Sequence, residues 1–181
     1  MTHTFAVYVD NKPGVLNRVA SLFRRRAFNI ESLTVGHTHE PGMSRMTVVV
    51  ETDEYGARRL EANLYKLVPV RRVENLSAKA SISRDLALVK VAATGDMRAQ
   101  VMQLVDVYRA RVVDVSPESL VVEATGTEDK IDSLLEVLRP YGVSEMVRTG
   151  LVAMARGTGA TTVRAPRVAA DNQDNLGNYS V

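Results

Sequence analysis

Hydrophobic positions along the chain recur alternately at two-residue and at three- to four-residue spacing, and the whole alternation runs twice. In TFAVYV (4–9), Phe5, Val7 and Val9 fall on one face of a strand. From 14 to 26, Val15, Leu16, Val19, Leu22 and Phe23 recur with helical spacing, which predicts an amphipathic helix with Arg18, Arg24 and Arg25 mostly off the apolar stripe. NIESLTVGHT (29–38) and MSRMTVVVET (43–52) read as strands around EPG (40–42), a Pro-Gly turn signal. Ala57, Leu60, Leu64 and Leu67 mark a second helix that Pro69 ends, and VRRVENLS (70–77) is a half-polar last strand. The predicted order is β-α-β-β-α-β.

The order then repeats. DLALVKVAA (85–93) is a strand, Val101, Leu104, Val105 and Tyr108 mark a helix, and RVVDVSP with SLVVEAT forms a hairpin pair. Ile131, Leu134, Leu135 and Leu138 mark another helix, and VSEMVRTGLVAMA (143–155) closes the unit. The expected fold class is therefore α+β, two tandem ferredoxin-like βαββαβ modules at 1–77 and 78–157, joined near Ser77–Ser83. Residues 158–181 lack periodicity and are rich in small and polar residues, so a flexible tail is expected there. A ferredoxin-like sheet leaves one face without helices. That face has to be solvated, paired with another module or used for binding; the apolar alternation of the strands favours pairing and predicts an oligomer.

Composition narrows the chemistry. The 181 residues carry 23 basic and 21 acidic side chains, so the net charge of +2 gives little support for nucleic acid as a partner. There is no Cys, which excludes disulfides, thiolate catalysis and Cys-ligated metal. The N-terminus has no basic leader, and no apolar run approaches the ~18 residues of a membrane span. A soluble cytoplasmic protein is expected. No Ser/His/acid spacing, GxxxxGK loop or GxGxxG fingerprint occurs outside the tail, where GTGAT (157–161) holds only a GTG, so an independent enzyme is not expected. His37 and His39 share a strand face beside Glu40, an arrangement read as solvated histidines rather than metal ligands. Arg24–Arg26 read as a solvated helix end, where cations suit the dipole. Tyr8 is the one central-strand aromatic placed to stack a base, too little for an RNA-binding sheet.

One stretch stands apart, DNKPGVL (10–16), a strand-to-helix turn without a nucleophile. Pro13 suits a helix start because its missing N–H costs nothing there. Gly14 lacks a Cβ and admits close approach to the backbone. The N–H groups of Gly14, Val15 and Leu16 are first-turn donors without helical partners and, with the dipole, suit a carboxylate. The Asn11 amide both donates and accepts, which suits an α-amino acid zwitterion. Leu16, Asn29 and Ile30 would add an apolar wall and a second amide. The residues alone leave two readings open: a small-anion site, or a tight turn with Asn11 capping the helix.

The run DNKPGVLNRVASLFRRRAFNIESLTVG closely resembles the N-terminal ACT domain of the regulatory subunits of acetolactate synthase (acetohydroxyacid synthase). The resemblance continues through MTVVVETDE, DLALVKV, RVVDVSPESLVVEATGTEDKID and VRTGLVAMARG, and so covers roughly 4–157. It implies a non-catalytic subunit that binds and activates a thiamine-diphosphate-dependent catalytic subunit and confers feedback inhibition by valine, on the path to valine, leucine and isoleucine. Thiamine diphosphate, magnesium and FAD would belong to that partner, with no cofactor or metal in this chain. The resemblance further implies a homodimer formed through ACT domains. Asn11, Gly14, Val15 and Leu16 of one chain would face valine together with Asn29 and Ile30 of the neighbour. NLYKLVPVRRV (63–73), with Pro69 and its paired arginines, departs from the family's usual LVDV-like ending. The alternative is a stand-alone ACT-type amino-acid sensor regulating another enzyme or transcription, which a helix-turn-helix segment would favour; the sequence shows none.

Overall fold

The structure is a computed structural model that describes residues 1–157. The expected tail, 158–181, lies outside the described residues. The first module runs β1 (Thr2–Asp10), α1 (Val15–Arg25), β2 (Ser32–His37), β3 (Met43–Glu51), α2 (Glu54–Leu64) and β4 (Val70–Asn75). The second runs β5 (Ser81–Ala92), α3 (Asp96–Val107), β6 (Arg111–Val115), β7 (Ser119–Gly126), α4 (Glu128–Leu138) and β8 (Val143–Arg148), with a short β9 (Val152–Ala155) after it. The sheets are ordered β2-β3-β1-β4 and β6-β7-β5-β8, each with its first strand in the middle. Both βαββαβ units predicted from the hydrophobic spacing are present. Among the described residues, no helix is long and apolar enough to cross a membrane.

Each core follows from strand parity. Antiparallel partners share a face, so Phe5 opposite Val48 and Val7 opposite Met46 form one apolar surface. Onto it α1 lays Val15, Val19, Leu22 and Phe23, and α2 lays Ala57, Leu60 and Leu64. The second core repeats this with Val89, Val91, Leu120 and Val122 under Val101, Val105, Ile131, Leu134 and Leu138. The repeat extends to irregularities. The first strand of each module breaks register against its neighbour, at Tyr8/Val9 and at Lys90/Val91, just before the turn into the first helix. Helices α1 and α3 both end with a residue of positive φ, Ala27 at 57° and Arg109 at 50°. In each, two overlapping backbone bonds close the end: Phe28 N–H to Phe23 and Ala27 N–H to Arg24, then Ala110 N–H to Val105 and Arg109 N–H to Asp106.

Three expectations change. The closing stretch 143–155 is two strands, because Gly150 (φ 81°) turns the chain. After that turn β9 leaves the second module's core sheet and pairs with Ser81–Arg84, the beginning of β5. The connection between modules is accordingly shorter than Ser77–Ser83, since Ser81–Ser83 are already strand. The helix-free face of the first sheet is not left for another chain either. The β5–β9 ribbon lies over it, burying Ala6, Leu76 and Ala153 together with Thr47. Arg45 pins the ribbon by donating to the Ala153 carbonyl, to the Tyr8 hydroxyl and to Thr47. Tyr8 is therefore engaged, with the Arg45 and Arg72 guanidiniums 5.5 and 4.8 Å from its ring centre, and offers no stacking platform.

A second set of bonds joins β2 to the Thr149–Leu151 bend. The Leu151 N–H donates to Ser32 Oγ at 3.0 Å, and the Thr34 hydroxyl donates to the Leu151 carbonyl at 3.2 Å. Behind the bend, Asp85 is 3% exposed and accepts from Arg148 and from the Thr149 hydroxyl. The Arg148 guanidinium reaches on to Asp132 of α4 at 2.6 Å.

Candidate functional site

β1 delivers the chain into the 10–16 turn, and three contacts fix its exit. The Asp10 N–H donates to the Pro69 carbonyl at 2.9 Å, and the Asp10 carboxylate takes two bonds from Arg71, at 2.6 and 2.9 Å. The third contact is the Asn11 N–H, which donates to the Gly42 carbonyl at 2.8 Å. The Arg71 hydrogen bonds hold the Asp10 carboxyl below its ordinary range, against an opposing push from burial, with Arg71 and Lys12 adding Coulombic support. In sequence, the paired arginines at 71–72 were visible only as a departure from a family ending; the structure gives Arg71 a purpose in bracing the turn.

The turn itself differs from the sequence reading. Val15 N–H closes on the Lys12 carbonyl at 3.3 Å around Pro13 and Gly14, and Gly14 has φ 79° and ψ −4°. That is a type II β-turn with Pro and Gly at its two central positions, where the positive φ at the second requires glycine. Pro13 thus sits in the turn rather than in the first position of the helix, which begins at Val15 with Gly14 as its cap residue. Asn11 does not cap the helix: no side chain does. Its Nδ2 lies 3.4 Å from Nδ1 of His37, at the end of β2.

These details redistribute the roles of the expected residues. The Val15 N–H is engaged with Lys12 and its side chain is buried in the first core. Free donors among the described residues are the N–H groups of Gly14, Leu16 and Asn17. Leu16 turns away from the core and is 45% exposed beside them. Among the described residues the other three α-helices carry an acidic residue in the first turn, but α1 has none in its first turn to offset the positive end of its dipole. A Cβ built on Gly14 would meet no atom within 4 Å, so the turn faces open space.

Asn29 and Ile30 lie elsewhere. They follow the far end of α1, an 11-residue helix about 16 Å long, and so stand a helix length away from Gly14 in the same chain. Ile30 packs partly against the first core, and exposed Asn29 donates to Glu31. One chain therefore places the expected residues at opposite ends of α1 and brings only Asn11, Gly14 and Leu16 together, as exposed groups at its start. One concavity of about 600 Å³ lies at the β2–Gly150 junction and another of about 950 Å³ between the ribbon and the first sheet. Neither is lined by Asn11 or Gly14; the second touches the turn's surroundings through His37. His37 and His39 gather no cluster of three metal-binding side chains among the described residues. Arg24 and Arg25 occupy the exposed last turn of α1.

Comparison with known proteins covers both modules. A family model described as an AHAS small subunit-like ACT domain matches residues 5–72, and one described as the small subunit of acetolactate synthase matches 84–157. The acetolactate synthase small subunit of Mycobacterium leprae is 52% identical over 164 residues, 90% of this chain and 97% of that protein. A probable acetolactate synthase small subunit of Archaeoglobus fulgidus is 48% identical over 157 residues, 87% of this chain and 98% of its own length. Among solved structures, the acetolactate synthase small subunit of Thermotoga maritima superposes with a TM-score of 0.82 at 38% identity, covering 88% of this chain and 99% of that one.

Proposed function

The chain belongs to the acetolactate synthase small-subunit family, and from that premise we propose that it regulates a thiamine-diphosphate-dependent catalytic subunit in the cytoplasm, activating it and conferring feedback inhibition by valine. In this reading the chain performs no chemistry itself. Thiamine diphosphate, magnesium and FAD are held by the catalytic partner.

The observation that carries the proposal is the turn at 10–16: a glycine-lined helix start with three unpaired N–H donors, no acidic residue in its first turn and an amide beside them. The N–H groups of Gly14, Leu16 and Asn17 would take the effector's carboxylate, the Asn11 carbonyl its ammonium, and Leu16 its isopropyl group. A second chain is needed to close the site, because Asn29 and Ile30 cannot reach Gly14 within one chain. Pairing of two first modules would set the Asn29 end of one against the Gly14 end of the other, giving a homodimer with two sites. Burying the isopropyl group would contribute about 1.5–3 kcal/mol. A dissociation constant of ~10–100 μM needs roughly 5.5–7 kcal/mol, so the carboxylate and ammonium bonds must supply the remainder. Regulation follows if valine binds one arrangement of the dimer more tightly than another.

Isothermal titration of the isolated protein with valine, run beside sedimentation equilibrium, tests this reading. The expected result is a dimer that binds one valine per chain. A monomer, or a dimer without heat of valine binding, would overturn it.

A further inference from the structure

We propose that His37 is a positioning residue of the effector turn: it holds the Asn11 amide with its carbonyl, rather than its NH2, turned to the ligand. This rests on the reading of residues 10–16 as an amino-acid site and concerns a residue on a different strand.

The argument is one of donors and acceptors. Asn11 Nδ2 lies 3.4 Å from His37 Nδ1. An amide NH2 has hydrogens to give and no lone pair to offer, so it donates and Nδ1 accepts. That direction uses the His37 tautomer that carries its hydrogen on Nε2. With Nδ2 committed, Oδ1 of Asn11 is the atom left without a partner among the described residues. A carbonyl oxygen at that point accepts from an ammonium; an NH2 there would repel one. The backbone around the contact is also held. The Asn11 N–H donates to Gly42 at 2.8 Å, and Gly42 sits with φ 76° in the turn that closes the β2–β3 hairpin, whose first strand ends at His37. The β2–β3 hairpin thus grips Asn11 twice, once by its main chain and once by its side chain. Carboxylate recognition by the N–H groups of Gly14, Leu16 and Asn17 does not involve His37, so the residue acts on the ammonium end of the ligand alone. It therefore serves selection of an α-amino acid over a simple carboxylic acid.

A double-mutant cycle on the full chain reads this directly, using titration with valine and with isovalerate, which keeps the branched carbon skeleton and the carboxylate but lacks the amine. His37→Ala is expected to weaken valine about three- to tenfold, the size of one hydrogen bond's effect, and to leave isovalerate unchanged. His37→Asn, whose Oδ1 can take the place of Nδ1 as acceptor, should recover most of the valine affinity. In an Asn11→Ala background the His37→Ala change should have no further effect, since the group it positions is gone. Additive losses in the cycle, or equal losses for valine and isovalerate, would overturn the role of His37. If the wild-type chain binds valine and Gly14→Asp does not, while His37→Ala binds as wild type, this inference fails and the effector site stands. If the wild-type chain binds no valine, the site reading itself fails.

Discussion

Replacing Gly14 by Asp tests the turn with little interference from packing. The position has φ 79°, so any side chain there incurs left-handed strain of about 1–2 kcal/mol, and Asp is among the residues that tolerate it best. The added Cβ meets no atom within 4 Å, so no clash accompanies the strain. Gly14→Ala carries the strain without the charge and serves as the control. The Asp carboxylate would lie near the donors that await the ligand's own carboxylate. Two like charges about 5 Å apart repel by about 1–3 kcal/mol for effective dielectrics between ~80 and ~20. That corresponds to a loss of roughly 5- to 150-fold in affinity, before the new carboxylate captures any of the free N–H groups. Thermal or urea unfolding should show both variants folded and similarly destabilised, by about 1–2 kcal/mol. Titration with valine should show a large loss for Asp and a clearly smaller one for Ala. An Asp variant that binds valine with wild-type affinity would refute the placement of the carboxylate at this helix start.

Three further outcomes follow from the fold. Ala27→Gly should stabilise the chain by about 1 kcal/mol, read as a higher urea midpoint, because it removes the left-handed strain at the end of α1 without touching its capping bonds; an unchanged or lower midpoint would contradict it. Asp10→Asn should cost about 1–3 kcal/mol at pH 7 by breaking a two-bond pairing with Arg71. Because the folded carboxyl is held below the ordinary 3.8, its stabilisation is complete above about pH 4 and is lost as pH falls through the depressed value. The difference between variant and wild type should therefore be flat from pH 5 to 8 and shrink only in acid. Gly150→Ala should cost about 2–3 kcal/mol, from positive-φ strain and displacement of Ser32 Oγ, 2.5 Å from the new Cβ. It should also speed proteolysis at the Thr149–Leu151 bend, where the N–H of Leu151 loses its partner.

The α+β repeat was legible because its signals are local. Phe5, Val7 and Val9 announce a strand face, and Val15, Val19, Leu22 and Phe23 a helix face, without help from the rest of the chain. The turn of the candidate site was legible in part for the same reason: Pro-Gly between a strand and a helix marks a tight backbone turn. Reading Pro13 as the helix start places that start two residues too early. Both a helix start and a type II turn favour Pro there, and the bond from Val15 to Lys12 with the positive φ of Gly14 distinguishes them. What could not be seen depends on contacts distant in sequence. VSEMVRTGLVAMA reads as one continuous element, and nothing local says that β9 will swing onto the other module; its partners at Ser81–Arg84 lie about 70 residues away. Arg71 bracing Asp10 and His37 meeting Asn11 are of the same kind. In each pair a polar residue looked solvated until the fold supplied a neighbour. HTH reads as two solvated histidines, which holds for exposed His39 but misses the contact of His37. The partner of His37 turns out to be the Asn11 amide in the turn between β1 and α1.

The central claim, that this chain senses valine and passes the signal to a catalytic subunit, is tested most directly by reconstitution. The protein would be mixed with the acetolactate synthase catalytic subunit from the same organism, and acetolactate formation followed across a valine titration. The account predicts that activity rises when the chain is added and falls as valine is added, with the fall absent when Gly14→Asp replaces the wild-type chain. A catalytic subunit whose activity is unaffected by the chain, with or without valine, would contradict it.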